Sequence, residues 1–281
     1  MPELPEVETT RRDLADRISG RTVTGVCFVA GGVSPARELG PDEFTDALVG
    51  RRIERLTRRG KYLVMHFADG GVLVLHRRMS GNLLLREPGA TLDPYTRATI
   101  SLDDGRELRW TDLRRFGTWR LADTPEQAIP QMGPEPLEDA WRADDLAAAL
   151  KDRRAPVKAA LLDQRRVAGL GNIYADESLH LARIHPRRPA GSLAPDELQR
   201  LHQAIRAVLN RALDLRGSTS STYMDGMGER GTMQDEWRVY HRTGAPCAEC
   251  GTLITRLVVA GRGTHICLKC QPPPGGTDER A

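Results

Sequence analysis

The sequence predicts an α+β chain of several domains: an N-terminal β-sandwich with a leading helix, a helical domain built on a helix–two-turn–helix, and a small cysteine-bearing C-terminal module. Three observations carry this. Between about Val23 and Leu121, short apolar and β-branched runs alternate with Gly- and Asp-rich turns. From Asp144 to Leu215 the apolar spacing becomes helical. Near the C-terminus, four of the five cysteines stand as two Cys-x2-Cys pairs.

The elements follow in order. Residues 2–19 read as a helix, with Val7, Leu14 and Ile18 forming a stripe and Gly20 ending it. Strands are expected at Val23–Ala30, Tyr62–Phe67, Val72–His76, Asn82–Arg86, Thr99–Leu102 and Glu107–Trp110. Asp69-Gly70-Gly71 and Asp103-Asp104-Gly105 are turns between them. Many short strands of this kind suit a sandwich. Asp123–Pro136 is proline-rich and reads as a linker. Helices are then expected at Asp144–Arg153, from Pro156, at Asn172–Arg183 after the Gly169-Leu170-Gly171 turn, and at Ala194–Leu215. Gly217–Asp235, rich in Gly, Ser and Thr, reads as a mobile loop. The expected boundaries are a sandwich over 1–122, a linker over 123–138, a helical domain over 139–236 that includes the loop, a terminal module over 237–271 and a disordered tail over 272–281.

The 281 residues, 40% of them hydrophobic, suffice for two cored domains. No apolar run reaches the roughly 18 residues of a membrane span. The opening MPELPEVETT is acidic and proline-rich rather than basic and apolar, so the expectation is a cytosolic protein. Net charge is only +3, but arginines come in doublets, among them Arg58-Arg59, Arg77-Arg78 and Arg114-Arg115. A basic stripe on a near-neutral surface suits a polyanion.

Cys247-x2-Cys250 and Cys267-x2-Cys270 have the spacing of a four-thiolate zinc ribbon. Four protein ligands leave no open position, so the zinc is expected to be structural. Cys27 stands apart and reads as a small buried hydrophobe. Between the knuckles, Val258–Thr264 reads as a hairpin with Arg262 exposed at its tip, either a solvated turn residue or a finger in the minor groove.

Pro2 follows the initiator Met1. Removal of Met1 leaves a secondary amine with a pKa of roughly 8, a far better nucleophile at neutral pH than lysine. Glu3 and Glu6 lie beside it as proton donors or shuttles. Lys61, on the turn of Arg58-Arg59-Gly60-Lys61-Tyr62, is a candidate phosphate ligand or general acid. Met79, in His76–Gly81, and Arg114 and Phe116, in Asp112–Gly117, sit on loops after strands. Exposed, they are what a protein needs to wedge into a base stack; the alternative places Met79 and Phe116 in the core. In Ala168–Glu177, Asn172 reads as the cap of a helix whose N-terminal amides can take a phosphate.

Together these segments resemble the formamidopyrimidine-DNA glycosylases, which share their fold with the endonuclease VIII enzymes. The resemblance runs from Pro2 to Gln271. It rests on Pro2-Glu3-Leu4-Pro5-Glu6-Val7-Glu8, Arg59–Leu63, Met79-Ser80-Gly81, Thr111-Asp112 with Arg114–Gly117, Gly133–Leu137, Gly171–Ala175 and the paired cysteines. It implies a bifunctional glycosylase and abasic-site lyase of base excision repair that removes oxidised purines. The partner is double-stranded DNA containing oxidised bases or abasic sites; one zinc ion, no membrane and a monomeric state are expected. By this resemblance Pro2 is the Schiff-base nucleophile, Glu3 the proton donor, Lys61 the catalytic lysine at phosphate, and Arg262 the phosphate grip linked to the last elimination. Met79, Arg114 and Phe116 fill the void left by the extruded base. Asn172 clamps a phosphate, Arg153 is a basic DNA contact, and Gly217–Asp235 closes over the base. Two departures stand near the expected DNA: Arg77-Arg78 where the family usually has Leu-Gly, and Tyr95, a DNA-contacting position, where it often has His. An endonuclease VIII-like enzyme for oxidised pyrimidines and a non-catalytic DNA-binding protein remain the alternatives.

Overall fold

In the computed structural model, which describes residues 2–29 and 34–274, helix α1 spans Leu4–Ile18. Glu3 is its N-cap and Pro5 sits in its first turn, where the absent N–H costs nothing. The chain leaves it through Gly20 at φ 82°. Leu4, Val7, Leu14 and Ile18 are all fully buried, so the helix carries the predicted apolar stripe. Met1 and the tail beyond Pro274, on which the expectations of Met removal and of disorder mostly fall, lie outside the described residues.

The described chain forms two compact units, Met1–Gln131 with Leu213–Gln234, and Met132–Ala212 with Asp235–Ala281. Residues 213–234, which hold all of the Gly217–Asp235 loop but its last residue, fall in the first unit.

In the first unit, β1 (Val23–Phe28), β6 (Thr96–Leu102), β7 (Glu107–Asp112) and β5 (Gly81–Arg86) form one antiparallel sheet in the order β1-β6-β7-β5. A second antiparallel sheet has the order β2-β3-β4-β8, from Ile53–Arg59, Tyr62–Phe67, Val72–His76 and Thr118–Ala122. One core joins them. Leu83, Ala98, Ile100, Leu108 and Trp110 of the first sheet cluster with Leu63, Met65, Leu73, Leu75 and Trp119 of the second. Trp110 and Trp119 meet edge to face at 5.8 Å between ring centroids. This is the expected sandwich with its leading helix. Helix α2 (Pro41–Leu48) adds Phe44 and Leu48 to the core. A short helix α3 (Pro125–Ala128) follows, inside the stretch read as linker.

One expectation changes here, and one segment gains partners. Cys27 is exposed, not buried. It lies on β1, an edge strand, between Val26 and Phe28, which pack on the core, so the period of two turns Cys27 outward. Gly217–Asp235 does not lack anchoring. Gly226 O accepts from Leu85 N at 2.8 Å, covering the free edge of β5, and Gly226 N donates to Asp13 Oδ2 at 3.0 Å. The Arg216 guanidinium reaches both Asp13 oxygens, at 2.7 and 2.8 Å. These pairings with α1 and β5 are not visible in the polar composition of the segment.

The second unit holds α4 (Ala143–Leu150), α5 (Val157–Leu162), α6 (Asn172–Leu181) and most of α7, which runs Pro195–Asp214. A hairpin of β9 (Thr255–Val259) and β10 (Arg262–Ile266) completes it, and α6 packs against α5 and β10. Asn172 is the first residue of α6 and Gly171 is the N-cap, one position earlier than the sequence suggests.

Candidate active site

Glu3 and Glu6 are 2% and 1% exposed at the start of α1. Glu6 is a bridge: Oε2 accepts from the Glu3 amide at 2.7 Å and Oε1 from the Ser218 amide at 2.7 Å. A Cβ on Gly217 would lie 2.9 Å from Glu6 Oε1, and its φ is +84°, so this approach requires glycine. Pro2 is buried immediately before Glu3.

Lys61, 7% exposed, follows Gly60 on the β2–β3 turn. Helix α1 packs on both of those strands. A staple fixes the contact: Arg58 Nε donates to Glu8 Oε2 at 3.1 Å, with both side chains more than nine-tenths buried. Burial alone would raise the Glu8 pKa; hydrogen bonds and charge from Arg11, Arg58 and Arg12 outweigh it and bring it to about 2. Glu8 is six residues from Pro2 and Arg58 three from Lys61, so the staple holds the two predicted catalytic segments to one another. Beside them, burial first, then the charges of Arg78 and Lys61, lower the His76 pKa to about 3, so the imidazole is neutral.

Met79 and Phe116 are exposed, at 39% and 47%, which removes the core alternative. The two loops bearing them share one buried carboxylate. Asp112 Oδ1 accepts from Ser80 Oγ at 2.5 Å and from the Arg114 amide at 3.2 Å, and Oδ2 accepts from the Gly117 amide at 2.8 Å. The Arg114 guanidinium stands 5.0 Å from the Phe116 ring centroid. Tyr95 is 55% exposed at φ 61°, and its carbonyl accepts from Asp112 N at 3.0 Å. Sequence reasoning places Asp112 and Ser80 in motifs but gives them no part; their signal is a carboxylate and a hydroxyl in loops that must be held together. Arg77 is a further correction: it is 1% exposed, not a surface charge near DNA, while Arg78 beside it is exposed.

In the second unit, Asn172 Nδ2 donates to Gly263 O at 3.0 Å. Its Oδ1 is buried without a hydrogen-bond partner among the described residues. Arg262, next to Gly263, is exposed where β10 begins. The two-residue turn before it, Ala260-Gly261, has φ of 48° and 73°, the left-handed pair that suits a tight hairpin. Lys158, fully buried, supports the same strand: Nζ donates to Gly263 O at 3.1 Å and Thr264 Oγ1 at 2.8 Å and pairs with Asp176 at 2.6 Å. Asn172 and Arg262 are thus brought together. Arg153 lies on the exposed connection between α4 and α5.

The sulfurs of Cys247, Cys250, Cys267 and Cys270 all lie within 4.8 Å of one another. Individual Sγ···Sγ distances are 3.4, 3.6 and 3.9 Å. A tetrahedron with Zn–S bonds of about 2.3 Å has edges of about 3.8 Å. The donor set and spacing fit one structural zinc, which would supply folding free energy and no chemistry.

Three family models match in succession: the formamidopyrimidine-DNA glycosylase N-terminal domain over residues 1–119, the formamidopyrimidine-DNA glycosylase H2TH domain over 132–224, and a zinc finger found in FPG and IleRS over 244–273. A formamidopyrimidine-DNA glycosylase of Symbiobacterium thermophilum is 47% identical, covering 98% of this chain and 91% of its own length. One from Chloroflexus aurantiacus is 45% identical over 96% of this chain and 98% of its own. Among solved structures, the MutM (Fpg) protein of Thermus thermophilus superposes with a TM-score of 0.85 at 43% identity, covering 96% of this chain and 98% of that one. The Lactococcus lactis Fpg in complex with DNA containing an abasic site gives 0.86 at 37% identity, covering 96% and 100%. Domain by domain and over nearly its whole length, this chain belongs to the formamidopyrimidine-DNA glycosylase family.

Proposed function

We propose that the chain removes oxidised purines, such as 8-oxoguanine and formamidopyrimidines, from duplex DNA and then cuts the strand, with the residues acting as follows. The Pro2 amine attacks C1′ of the lesion nucleotide, the glycosidic bond breaks, and the base leaves with a proton. Glu3 protonates the sugar ring oxygen, the ring opens, and an iminium joins Pro2 to C1′. The iminium acidifies the adjacent C2′ proton, so β-elimination expels the 3′ phosphate and δ-elimination the 5′ phosphate. Lys61 holds phosphate beside the lesion. A base within a duplex is out of reach, so Met79, Arg114 and Phe116 enter the stack where it is extruded, at a cost of a few kcal/mol. Asn172 and Arg262 grip phosphate and offset that cost; Tyr95 and Arg153 add DNA contacts.

The observation that carries this reading is the start of α1. A buried carboxyl, Glu3, follows the proline directly, and the buried Lys61 stands on the turn stapled to the same helix. The reaction takes place in the cytoplasm, on the cell's own DNA. No helix among the described residues is long and apolar enough to cross a membrane. The reading is tested by borohydride trapping on a duplex with one 8-oxoguanine opposite cytosine. A covalent protein–DNA adduct that is absent from Pro2→Gly is expected. Stronger trapping on thymine glycol would favour the oxidised-pyrimidine alternative. Neither adduct nor cleavage on either lesion, with DNA binding intact and Met1 shown by mass spectrometry to be removed, would favour the binding protein.

A further inference from the structure

Arg77 is the most deeply buried arginine side chain of the first unit's site region, and nothing in the proposed chemistry uses it. Its guanidinium has five N–H donors, and all five are engaged. Nε donates to Gly81 O at 2.7 Å. Nη1 donates to Glu6 O at 3.2 Å and to Thr10 Oγ1 at 2.8 Å. Nη2 donates to Asn82 Oδ1 at 2.5 Å and to Met224 O at 3.0 Å. The Tyr223 ring lies against it, 5.0 Å from centroid to guanidinium carbon. Every one of these acceptors is neutral. A buried cation that engages no carboxylate directly is costly unless each donor is satisfied, so this geometry is tightly specified.

The five bonds reach three separate pieces of the proposed site. Gly81 closes the turn that presents Met79, and the same turn is closed from the other side by Gly81 N donating to Arg77 O at 3.0 Å. Glu6 and Thr10 are in the first turns of α1, directly behind Pro2 and Glu3. Met224 belongs to the segment 217–226. That segment has two fixed legs: Ser218 is held by the Glu6 carboxylate, and Tyr223-Met224 by Arg77 together with Asn82, whose Nδ2 donates to Thr222 O at 2.9 Å and whose Oδ1 accepts from Met224 N at 3.1 Å. Between the legs, Ser220 and Ser221 are exposed. The first leg rests directly on the helix that follows Pro2, and the second reaches it through Arg77, which is bonded to Glu6 O and Thr10 Oγ1.

We propose that Arg77 is a positioning residue that sets the 217–226 segment and the Met79 turn against the N-terminus of α1, and so governs reaction on a nucleotide that still carries its base. The proposal rests on the function given above. Its consequence is selective. A damaged nucleotide must be everted and its base seated before Pro2 can reach C1′. An abasic sugar has no base to seat and less stacking to give up. Loss of Arg77 therefore slows base excision more than it slows cleavage of a ready-made abasic site.

The test compares wild type, Arg77→Leu, Arg77→Lys and Asn82→Ala as full-length zinc-loaded proteins. Single-turnover rates are measured on an 8-oxoguanine duplex and on an abasic duplex, with amide hydrogen exchange followed along the chain. Expected for Arg77→Leu is a loss of roughly ten- to a hundredfold in excision, as for a catalytic group displaced by about an ångström. Abasic cleavage should change by less than about threefold, a split that general destabilisation does not produce. Exchange should rise at Ser218–Met224 and not in the strands of the core. Lysine, with three donors, should restore part of the excision rate, and Asn82→Ala should show the same split if Arg77→Leu folds poorly. Equal losses on both substrates, or none in a folded variant, overturn the proposal. Wild-type protein that fails on 8-oxoguanine overturns the functional reading instead.

Discussion

Ser80 and Asp112 lie 32 residues apart and share a 2.5 Å hydrogen bond, Oγ to Oδ1, that ties the Met79 turn to the loop of Arg114 and Phe116. The two loops meet the solvent as one surface because a single buried carboxylate serves both. Such a carboxylate loses its ties all at once. Asp112→Ala removes three hydrogen bonds to a charged acceptor and should cost about 3 kcal/mol of stability in denaturant unfolding. Excision should slow by roughly tenfold, because Met79 and Phe116 are then no longer held together. Ser80→Ala breaks one of the three bonds and should show a smaller effect in the same direction. A variant of full stability and activity would mean that the two loops hold their shape by other means.

Arg262 is exposed at the hairpin, with Asn172 fixed to its neighbour Gly263. If Arg262 grips phosphate, Arg262→Ala should weaken binding to all duplexes alike and lower the slope of log affinity against log salt by about 1. Asn172→Ala removes a neutral contact, so affinity should fall by about 1 kcal/mol with the slope unchanged. Fluorescence anisotropy at several salt concentrations separates the two. An unchanged slope in Arg262→Ala would identify it as a solvated turn residue.

What is legible in the sequence follows from burial. Strands β3 and β4 are read within their observed limits, Tyr62–Phe67 and Val72–His76, because they are interior strands with continuous apolar runs. Strands β2 and β8 lie in the stretch read as strands but are not singled out within it. Both are edge strands broken by charged residues, Glu54, Arg55 and Arg120 among them, which blur the alternation, whereas the edge strands β1 and β5 keep apolar runs and are legible. The cysteines and Lys61 are legible because their chemistry is written locally, in spacing and turn. Arg77 is not, because its acceptors Glu6 and Met224 are 71 and 147 residues away. An arginine doublet signals surface until the fold brings acceptors to it. The anchoring of Gly217–Asp235 is hidden for the same reason: Asp13, its main tether, lies 213 residues before Gly226.

The zinc module has little core of its own. Besides the cysteines, its buried aliphatic residues among those described are Val239, Ile254, Val259 and Ile266. So small a cluster cannot offset the conformational entropy of ordering roughly 35 residues, so the metal supplies the difference. Chelation should therefore abolish DNA binding while the sandwich stays folded. Tryptophan fluorescence in a Trp141→Phe, Trp237→Phe background can follow the latter, because Trp110 and Trp119, the two that remain, sit in the core of the first unit. Tight binding by zinc-free protein would show that the hairpin bearing Arg262 forms without the metal.

Acid should destabilise the first unit through two groups whose windows open at different pH and overlap below pH 4.5. His76 is buried and neutral, and its Nδ1 accepts from the Arg78 amide at 3.1 Å. Its pKa falls from 6.5 to about 3, through burial first and then the charges of Arg78 and Lys61. The folded pKa is depressed, so the unfolded chain takes up a proton that the folded one refuses. That contribution is complete above pH 6.5 and is lost as pH falls towards 3. Glu8 falls from 4.5 to about 2: burial works against the shift, and Arg11, Arg58 and Arg12 overcome it. Its contribution is therefore lost only below pH 4.5. Between about pH 7 and pH 5, wild type should lose about 2 kcal/mol more stability than His76→Gln, and Glu8→Gln should track wild type. Between about pH 5 and pH 3, Glu8→Gln should lose about 1 to 2 kcal/mol less than wild type, after discounting for the partly hydrated Arg11 and Arg12. Denaturant unfolding followed through Trp110 and Trp119, in the background that lacks Trp141 and Trp237, reads both windows. If His76→Gln falls in parallel with wild type across the first window, the imidazole is not held neutral, and the ring beside Lys61 carries charge during the reaction.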